Sequence, residues 1–289
     1  MTKNKLTLYF IPSPRPLDWS SPTSLARTIL KNQIIRKSRF MGHVNVKLEH
    51  EGKEIFTGMA AKDIDSARGL LIRKKIGLGI IYHSFVGRLE SKEELDLELD
   101  EYLNTGNSRI NFIQFEISDS MAKRVKEYLT QFKERGLDRY YGLVNSPLHG
   151  EGAGCSAFGA SFMILMDILD EDMQKSWSNK VLVPLKLTGA PVTENKVSFF
   201  KLLLRKFNWA NESEDHKELF FWDPDLMWAW VQRHLKEDHY KKMSINNTQG
   251  LFKNISSKEA PDSEIFKIQD IKSIHPDLSK KTNLDKYHF

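Results

Sequence analysis

The sequence predicts an α+β fold, in which an antiparallel sheet packs against a buried helix and an extra helical region follows towards the C-terminus. Residues 43–49 and 111–117 alternate apolar and polar side chains, which is the period of a half-buried strand. Residues 121–132 carry apolar side chains at helical spacing on one face. Residues 156–169 are apolar on nearly every side, which is typical of a helix inside a core.

The elements follow one another in short segments. The apolar run Leu6–Ile11 predicts a first strand, and prolines hold an extended turn after it. A helix follows over 24–35. Glu51-Gly52 is a turn signal that pairs strand 43–49 with strand 53–59. The rest of the pattern predicts a strand or buried loop over 76–86, a strand over 111–117, a helix from a Ser118 or Ser120 cap to Gly136, a loop over 140–154, a buried helix over 156–169, a strand over 181–187 and a helix over 222–235.

The domain prediction is a single domain over residues 1–240. From residue 241 the chain becomes polar and weakly patterned, so we expect 241–289 to form an extended or partly disordered tail. The apolar run near the N-terminus is too short for a signal peptide, and no apolar run is long enough to span a membrane. A cytoplasmic location is therefore the default expectation, and secretion without a Sec signal stays open.

The net charge of +5 is unevenly spread. Residues 1–75 carry +9, whereas residues 76–239 carry −7, much of it in the run Glu90–Glu101. The basic stretches Lys31–Arg39 and Arg68–Lys75 could attract phosphate or an anionic membrane surface, although a solvated face is the favoured interpretation. Neither stretch has the interleaved aromatic residues of a single-strand binding groove, so no specific nucleic-acid partner is predicted.

The single cysteine, Cys155, excludes an internal disulfide and a CxxC metal site. It follows a glycine-rich loop and opens the buried helix. The positive end of a helix and its free N–H groups lower the pKa of a thiol and can hold a developing oxyanion. This setting suits a nucleophile, although from spacing alone a structural cysteine packed in the core is the favoured interpretation.

A thiol nucleophile needs a base, which is usually a histidine from elsewhere in the chain. His43 opens an alternating strand, on the face opposite Val44 and Val46. His149 lies six residues before the cysteine and is the second candidate, as a base, an oxyanion donor or a simple loop residue.

Two short motifs of the sequence resemble a known family. Tyr141-Gly142 and Gly154-Cys155-Ser156-Ala157-Phe158 resemble the element Tyr-x-x-Gly … Asp-Cys-Ser-Gly-Phe, and Gly42-His43-Val44-Asn45-Val46 resembles the strand Gly-His-Val-Gly-Ile. The element and the strand are those of NlpC-type cysteine peptidases. Here the histidine precedes the cysteine. The order is similar to the circularly permuted branch of the papain-like superfamily, which includes lecithin:retinol acyltransferase-like proteins. The resemblance covers roughly residues 6–170.

The resemblance implies a permuted papain-like fold and a thiol mechanism. In it Cys155 would attack an acyl carbon, with His43 as base and then acid. The backbone N–H of Cys155 or Ser156 would hold the oxyanion, and Tyr141 would assist. The nearest candidates for the polar residue that orients the histidine are Thr57 and Asn45.

The substrate stays open among a peptidoglycan peptide, a protein amide, a lipid ester and a thioester. Water as acceptor would give hydrolysis, whereas an alcohol or amine would give acyl transfer. The alternative is a papain-like binding or scaffold protein without a working site, which could associate with anionic surfaces through its basic N-terminal third. No metal-ligand spacing or phosphate loop is visible, so we expect no cofactor.

Overall fold

The computed structural model describes residues 3–35, 40–62, 65–104, 109–237, 240–246 and 248–261. The strands in this part of the chain are β1 (Asn4–Ile11), β2 (His43–His50), β3 (Lys53–Ala61), β4 (Phe85–Leu89), β5 (Asn111–Ile117), β6 (Tyr140–Tyr141), β7 (Ser178–Pro184), β8 (His216–Trp222), β9 (Lys241–Ile245) and β10 (Thr248–Asn254). The α-helices are α1 (Pro22–Ile35), α2 (Asp65–Gly69), α3 (Lys92–Asn104), α4 (Asp119–Glu134), α5 (Cys155–Leu165), α6 (Glu171–Trp177), α7 (Phe199–Leu204) and α8 (Pro224–His234).

The main sheet has eight strands in the order β6-β4-β3-β2-β1-β5-β10-β9. Its neighbouring strands are antiparallel, with the exception of β10, which runs parallel to β5. Strands β7 and β8 form a separate antiparallel pair. A large sheet combined with packed helices agrees with the predicted α+β class.

The β2–β3 hairpin has the predicted register, in which Asn45 pairs with Gly58 and Val46 pairs with Thr57. Its turn residues Glu51 and Gly52 have φ values of 52° and 72°, which is the left-handed conformation of a tight hairpin turn.

The cysteine-bearing helix α5 packs closely on the sheet because small residues line it. A Cβ on Gly159 would lie 2.5 Å from Cγ1 of Val44, so only glycine allows this approach of α5 to β2. Beside it, Ser118 caps α4 by accepting a hydrogen bond from the Met121 N–H. The rings of Phe132, Phe158 and Phe162 then fill the space between α4 and α5.

Several element predictions need correction. Residues 78–82 form a 3-10 helix before β4, and α5 ends at Leu165, before the predicted end at residue 169. The predicted strand over 181–187 is β7, which ends at Pro184. The predicted helix over 222–235 begins at Pro224, where the Asp223 side chain caps it. The sequence did not predict β8.

The predicted tail boundary at residue 240 is wrong for residues 241–254, because β9 and β10 extend the main sheet. Leu251 is fully buried there, and the Phe112 ring packs so tightly against Gly250 that a Cβ would lie 2.5 Å from it. The rest of the predicted tail, residues 262–289, lies outside the described residues.

Candidate active site

Cys155 is the first residue of α5, and its side chain is buried, with 5 % of the residue exposed. The residue before it, Gly154, has no side chain to cap the helix, so the first backbone N–H groups of α5 stay available. A Cβ on Gly154 would lie 3.0 Å from the carbonyl oxygen of Gly142. The thiol therefore lies at the positive end of the helix, behind a tightly packed glycine loop.

His43 is the first residue of β2, 112 positions before Cys155, and its imidazole is near enough to the thiol to lower the thiol's pKa. Its Nε2 lies 2.7 Å from Oε2 of Glu90, and both side chains are less than 5 % exposed. Because Nε2 is engaged by the carboxylate, Nδ1 is the nitrogen left for the sulfur. The three side chains form a buried chain in the order thiol, imidazole, carboxylate.

The electrostatics around Cys155 favour the thiolate. Burial raises the pKa of the thiol, but the charge and hydrogen bond of His43, together with hydrogen bonds from Tyr141 and from the Val44 N–H, more than offset this. The net result is a thiol pKa below its ordinary value of 9.

Two further groups contact the sulfur. The Tyr141 hydroxyl donates to Sγ at 3.8 Å, from a short strand whose partner is Phe85 of β4. On the other side, Sγ lies 3.9 Å from the carbonyl oxygen of Gly42, which can accept the S–H when the thiol is protonated. Tyr141 is thus placed to stabilise negative charge at the sulfur or on a nearby oxygen.

The carboxylate partner of the imidazole, Glu90, is a residue that sequence reasoning missed. It directly follows β4, and its backbone N–H donates to the Gly58 carbonyl at 2.9 Å. The Thr57 hydroxyl donates to the Glu90 carbonyl at 3.0 Å. Thr57, one of the two proposed orienting residues, therefore acts on the backbone of Glu90 and lies on the face of the hairpin opposite His43.

Asn45, the other proposed orienting residue, lies two positions after His43 on the same face of β2. It is fully buried, and neither atom of its amide has a hydrogen-bond partner in the described part of the chain. A Cβ on Gly58 would lie 2.7 Å from both Oδ1 of Asn45 and Oε2 of Glu90, and 3.3 Å from Nε2 of His43. Asn45 therefore packs beside the imidazole–carboxylate pair, across a space that only glycine leaves open.

The remaining candidates take other positions. The Ser156 hydroxyl donates to the Trp222 carbonyl at 2.6 Å, so it fixes the start of α5 to β8 and only its backbone N–H faces the helix terminus. His149 ends a 3-10 turn at residues 147–149 and is exposed. It is not among the groups that hydrogen-bond to Cys155.

A buried network holds the backbone beside the thiol. The Asp225 carboxylate accepts hydrogen bonds from the N–H and hydroxyl of Ser13, both at 2.7 Å. The Ser13 oxygen in turn accepts the N–H of Gly42 at 2.8 Å. A Cβ on Gly42 would lie 2.9 Å from the Pro224 ring, so glycine lets β2 begin against α8. The network thereby positions Gly42, and with it His43.

A possible metal-ligand set lies elsewhere, and one of its two acidic groups is already paired with a lysine. His50, Glu51 and Asp119 place one ligand atom each within 4.8 Å of one another. Asp119 is paired with Lys123 at 2.6 Å and with His50 at 3.0 Å.

The arrangement can carry out acyl-group chemistry. An activated thiol, a base oriented by a carboxylate and free N–H groups at a helix terminus are the parts that covalent thiol catalysis uses. None of the described helices combines the length and apolar character needed to cross a membrane. In comparisons with protein-family models, curated proteins and solved structures, nothing matches this chain.

Proposed function

We propose that this protein is a thiol-dependent hydrolase or acyltransferase that cleaves an amide or ester bond. One observation carries the proposal: Cys155 at the start of a buried helix has its pKa lowered by the imidazole of His43, whose Nε2 is 2.7 Å from the buried Glu90 carboxylate. A structural cysteine has no need of an imidazole that is itself oriented by a buried carboxylate.

In the proposed mechanism the Cys155 thiolate attacks the acyl carbon, and the imidazolium of His43 protonates the leaving group. The backbone N–H of Cys155 or Ser156 stabilises the oxyanion, and the Tyr141 hydroxyl assists. His43 then removes a proton from water, or from an alcohol or amine acceptor, which attacks the thioester and releases the thiolate. The imidazolium that forms twice in this cycle is stabilised by Glu90.

The proposed fold is the permuted papain-like one. The order of the site residues along the chain supports this fold, because the histidine strand β2 precedes the cysteine helix α5 and the two elements pack together. Glu90 follows the next strand but one after His43, where it supplies the third polar residue of the resemblance. Gly154 replaces the aspartate of the related motif, and the nearby Gly142 carbonyl leaves little room for a side chain.

A non-catalytic scaffold with a papain-like shape is the second candidate. The burial of Cys155 favours it, because a substrate must reach a sulfur that belongs to a residue only 5 % exposed. The two candidates differ in the reactivity of the thiol. A scaffold has a thiol that small electrophiles alkylate slowly, whereas the hydrolase has a thiolate that reacts readily at neutral pH.

The experiment measures hydrolysis of p-nitrophenyl butyrate and the rate of alkylation by iodoacetamide between pH 5 and pH 10. We expect Cys155→Ser to abolish both activities and His43→Asn to lower both by at least about 100-fold at pH 7. His149→Asn is the matched control, because it removes another histidine near the cysteine in sequence. Ester hydrolysis that survives in Cys155→Ser, or equal losses in the His43 and His149 variants, would contradict the proposal.

A further inference from the structure

The helices α1 and α7 lie side by side, although about 165 residues separate them in the sequence. The Thr23 hydroxyl donates to the Arg205 carbonyl at 2.7 Å, and the Arg27 guanidinium donates to the Leu203 carbonyl at 2.9 Å. Because a later residue of α1 bonds to an earlier residue of α7, the two helices run antiparallel. Together they form one outer layer of the molecule.

This layer exposes large aliphatic and aromatic side chains, and we call it the α1–α7 face. Leu204 is 80 % exposed and Ile34 is 77 % exposed. Exposed apolar residues are common one at a time, but several on two adjoining helices mark an interaction surface. The exposed apolar residues of the face are Leu30, Ile34, Ile35, Phe200 and Leu204.

The same face is strongly cationic. Residues 19–35 and 195–211 contain six Lys or Arg and no Asp or Glu. Five of these six lie in α1, in α7 or within two residues of the end of α7: Arg27, Lys31, Lys201, Arg205 and Lys206. All five are exposed, and none of them forms an ion pair with an acidic residue in the described part of the chain. The face therefore combines exposed apolar side chains with uncompensated positive charge.

We infer that the α1–α7 face binds the surface of an anionic lipid bilayer. Apolar side chains would enter the boundary between headgroups and acyl chains, while the cations would contact the phosphate and carboxylate groups of the lipids. The face belongs to surface helices rather than to a membrane span, so binding is peripheral and reversible. This inference does not depend on the chemistry of Cys155.

Two other occupants fit the face less well. In a symmetric dimer through this face, each copy would place uncompensated cations against those of the other copy, which is unfavourable. A single-stranded nucleic acid would need aromatic platforms for its bases, whereas four of the five exposed apolar residues are Leu or Ile. A bilayer with anionic headgroups complements both the charge and the aliphatic character.

The basic stretches identified in the sequence cover only part of the α1–α7 face. Of the two basic stretches that it singled out, Lys31 lies on the α1–α7 face, whereas residues 36–39 lie outside the described residues. The partner helix α7 comes from a segment that showed no notable charge run. Only the tertiary packing brings the two basic, acid-free segments together.

The test is cosedimentation of the full-length protein with vesicles of phosphatidylcholine alone and of phosphatidylcholine with about 30 mol % phosphatidylserine. We expect at least tenfold stronger partitioning onto the anionic vesicles, and weaker partitioning as salt is raised. Lys201→Glu combined with Arg205→Glu should lower the partitioning at least tenfold. Phe200→Ser combined with Leu204→Ser should lower it as well, with the remaining binding more sensitive to salt.

Matched controls come from other faces of the molecule. Leu97→Ser removes an apolar residue that is 72 % exposed on the acidic helix α3, and Lys126→Glu reverses an exposed charge on α4. Both should bind vesicles as the unchanged protein does. All the substituted side chains are exposed, and circular dichroism verifies that each variant is folded.

Three outcomes would overturn the inference. The first is no preference for anionic vesicles, and the second is equal loss of binding in the controls and in the α1–α7 variants. The third is a dimer in sedimentation velocity that Leu204→Ser dissociates, which would assign the face to a second copy of the chain. Cleavage of p-nitrophenyl butyrate in solution is expected to be unchanged in the α1–α7 variants, so failure here is distinguishable from failure of the proposed activity.

Discussion

Oε2 of Glu90 lies 2.7 Å from Nε2 of His43, so a buried carboxylate holds the imidazole that faces the Cys155 thiol. A carboxylate in this position orients the ring and stabilises its protonated form. We expect Glu90→Gln, which keeps the shape but removes the charge, to raise the pKa of the Cys155 thiol and to lower ester cleavage about 100-fold or more. The measurement is the iodoacetamide rate against pH, together with the kcat for p-nitrophenyl butyrate.

The matched control for this variant is Glu93→Gln, because Glu93 belongs to the same acidic run and is exposed. It should leave both the pH profile and kcat unchanged. An unshifted profile in Glu90→Gln would show that the carboxylate does not act on the imidazole–thiol pair.

The Tyr141 hydroxyl, which donates to Sγ at 3.8 Å, lowers the pKa of the thiol. Tyr141→Phe removes only the hydroxyl. We expect the thiol pKa to rise and the alkylation rate at pH 7 to fall about threefold to tenfold, because each pKa unit changes the thiolate fraction about tenfold. Tyr140→Phe is the control, since successive strand residues point to opposite faces. Equal effects of the two substitutions would argue against a direct role for the Tyr141 hydroxyl.

Gly58 has no side chain, and the side chains of His43, Asn45 and Glu90 lie in the space where a Cβ would be. A Cβ there would lie 2.7 Å from Oε2 of Glu90, and 3.3 Å from Nε2 of His43. Gly58→Ala should therefore displace the pair, lower the free energy of unfolding by about 1–3 kcal/mol and slow the alkylation of Cys155. Urea unfolding measures the first effect. Gly52→Asn, at a hairpin turn where asparagine tolerates the left-handed conformation, should have little effect on either quantity.

Asp223 makes stability depend on pH. Its burial, with a further contribution from the nearby charge of Asp225, raises its pKa from 3.8 to about 6. The folded state then binds more protons than the unfolded state between these values, so this group's contribution to stability falls as pH rises from about 4 to 6. Above about pH 6, where Asp223 is ionised in both states, its contribution to the free energy of unfolding is about 3 kcal/mol lower than below pH 4.

Asp223→Asn keeps a side-chain cap for α8 but removes the charge. We expect this variant to be more stable than the unchanged protein at pH 7.5, with a flatter dependence of stability on pH between about 4 and 6. Urea unfolding at several pH values measures both effects. The exposed Asp100→Asn should leave the slope unchanged. A slope that persists in Asp223→Asn would assign the pH dependence to another group.

Leu251 tests whether the last two strands belong to the main sheet. It is fully buried on β10, so Leu251→Ala should lower the free energy of unfolding by about 2–4 kcal/mol. Leu97→Ala makes the same change at a residue that is 72 % exposed, and it should cost less than about 0.5 kcal/mol. If Leu251→Ala and Leu97→Ala unfolded at the same temperature, the packing of β10 would not contribute to the stability of the main sheet.

The sequence was informative where a local pattern carries the signal. Strict alternation located β2 and β5, and the Glu51-Gly52 turn determined the hairpin register, because a two-residue turn leaves one pairing. The place of Cys155 at a helix start followed from the glycine loop and the apolar run behind it. These features depend on neighbouring residues, so they can be read without knowledge of the tertiary structure.

Glu90 could not be found in this way. It begins the acidic run Glu90–Glu101, and such a run is typical of a solvated helix, which Glu93 and Glu94 indeed occupy. Only the pairing of β4 with β3 places Glu90 beside His43 rather than in solvent. A usable signal was its position directly after the Phe85–Leu89 segment, because polar residues at strand ends often carry function.

The C-terminal strands were missed for a related reason. The segment Lys241–Ile245 is an edge strand with mostly polar residues, and it lacks the apolar alternation of a half-buried strand. β10 runs parallel to β5, which precedes it by more than a hundred residues, so no short-range pattern announces the pairing.

The Asp225–Ser13–Gly42 network has a consequence for the order of events during synthesis. Asp225 leaves the ribosome long after His43, Glu90 and Cys155, yet its carboxylate holds the turn that positions the start of β2. The hydrogen bonds that hold Ser13 and the Gly42 N–H can therefore form only after the segment that contains Asp225 has been synthesised.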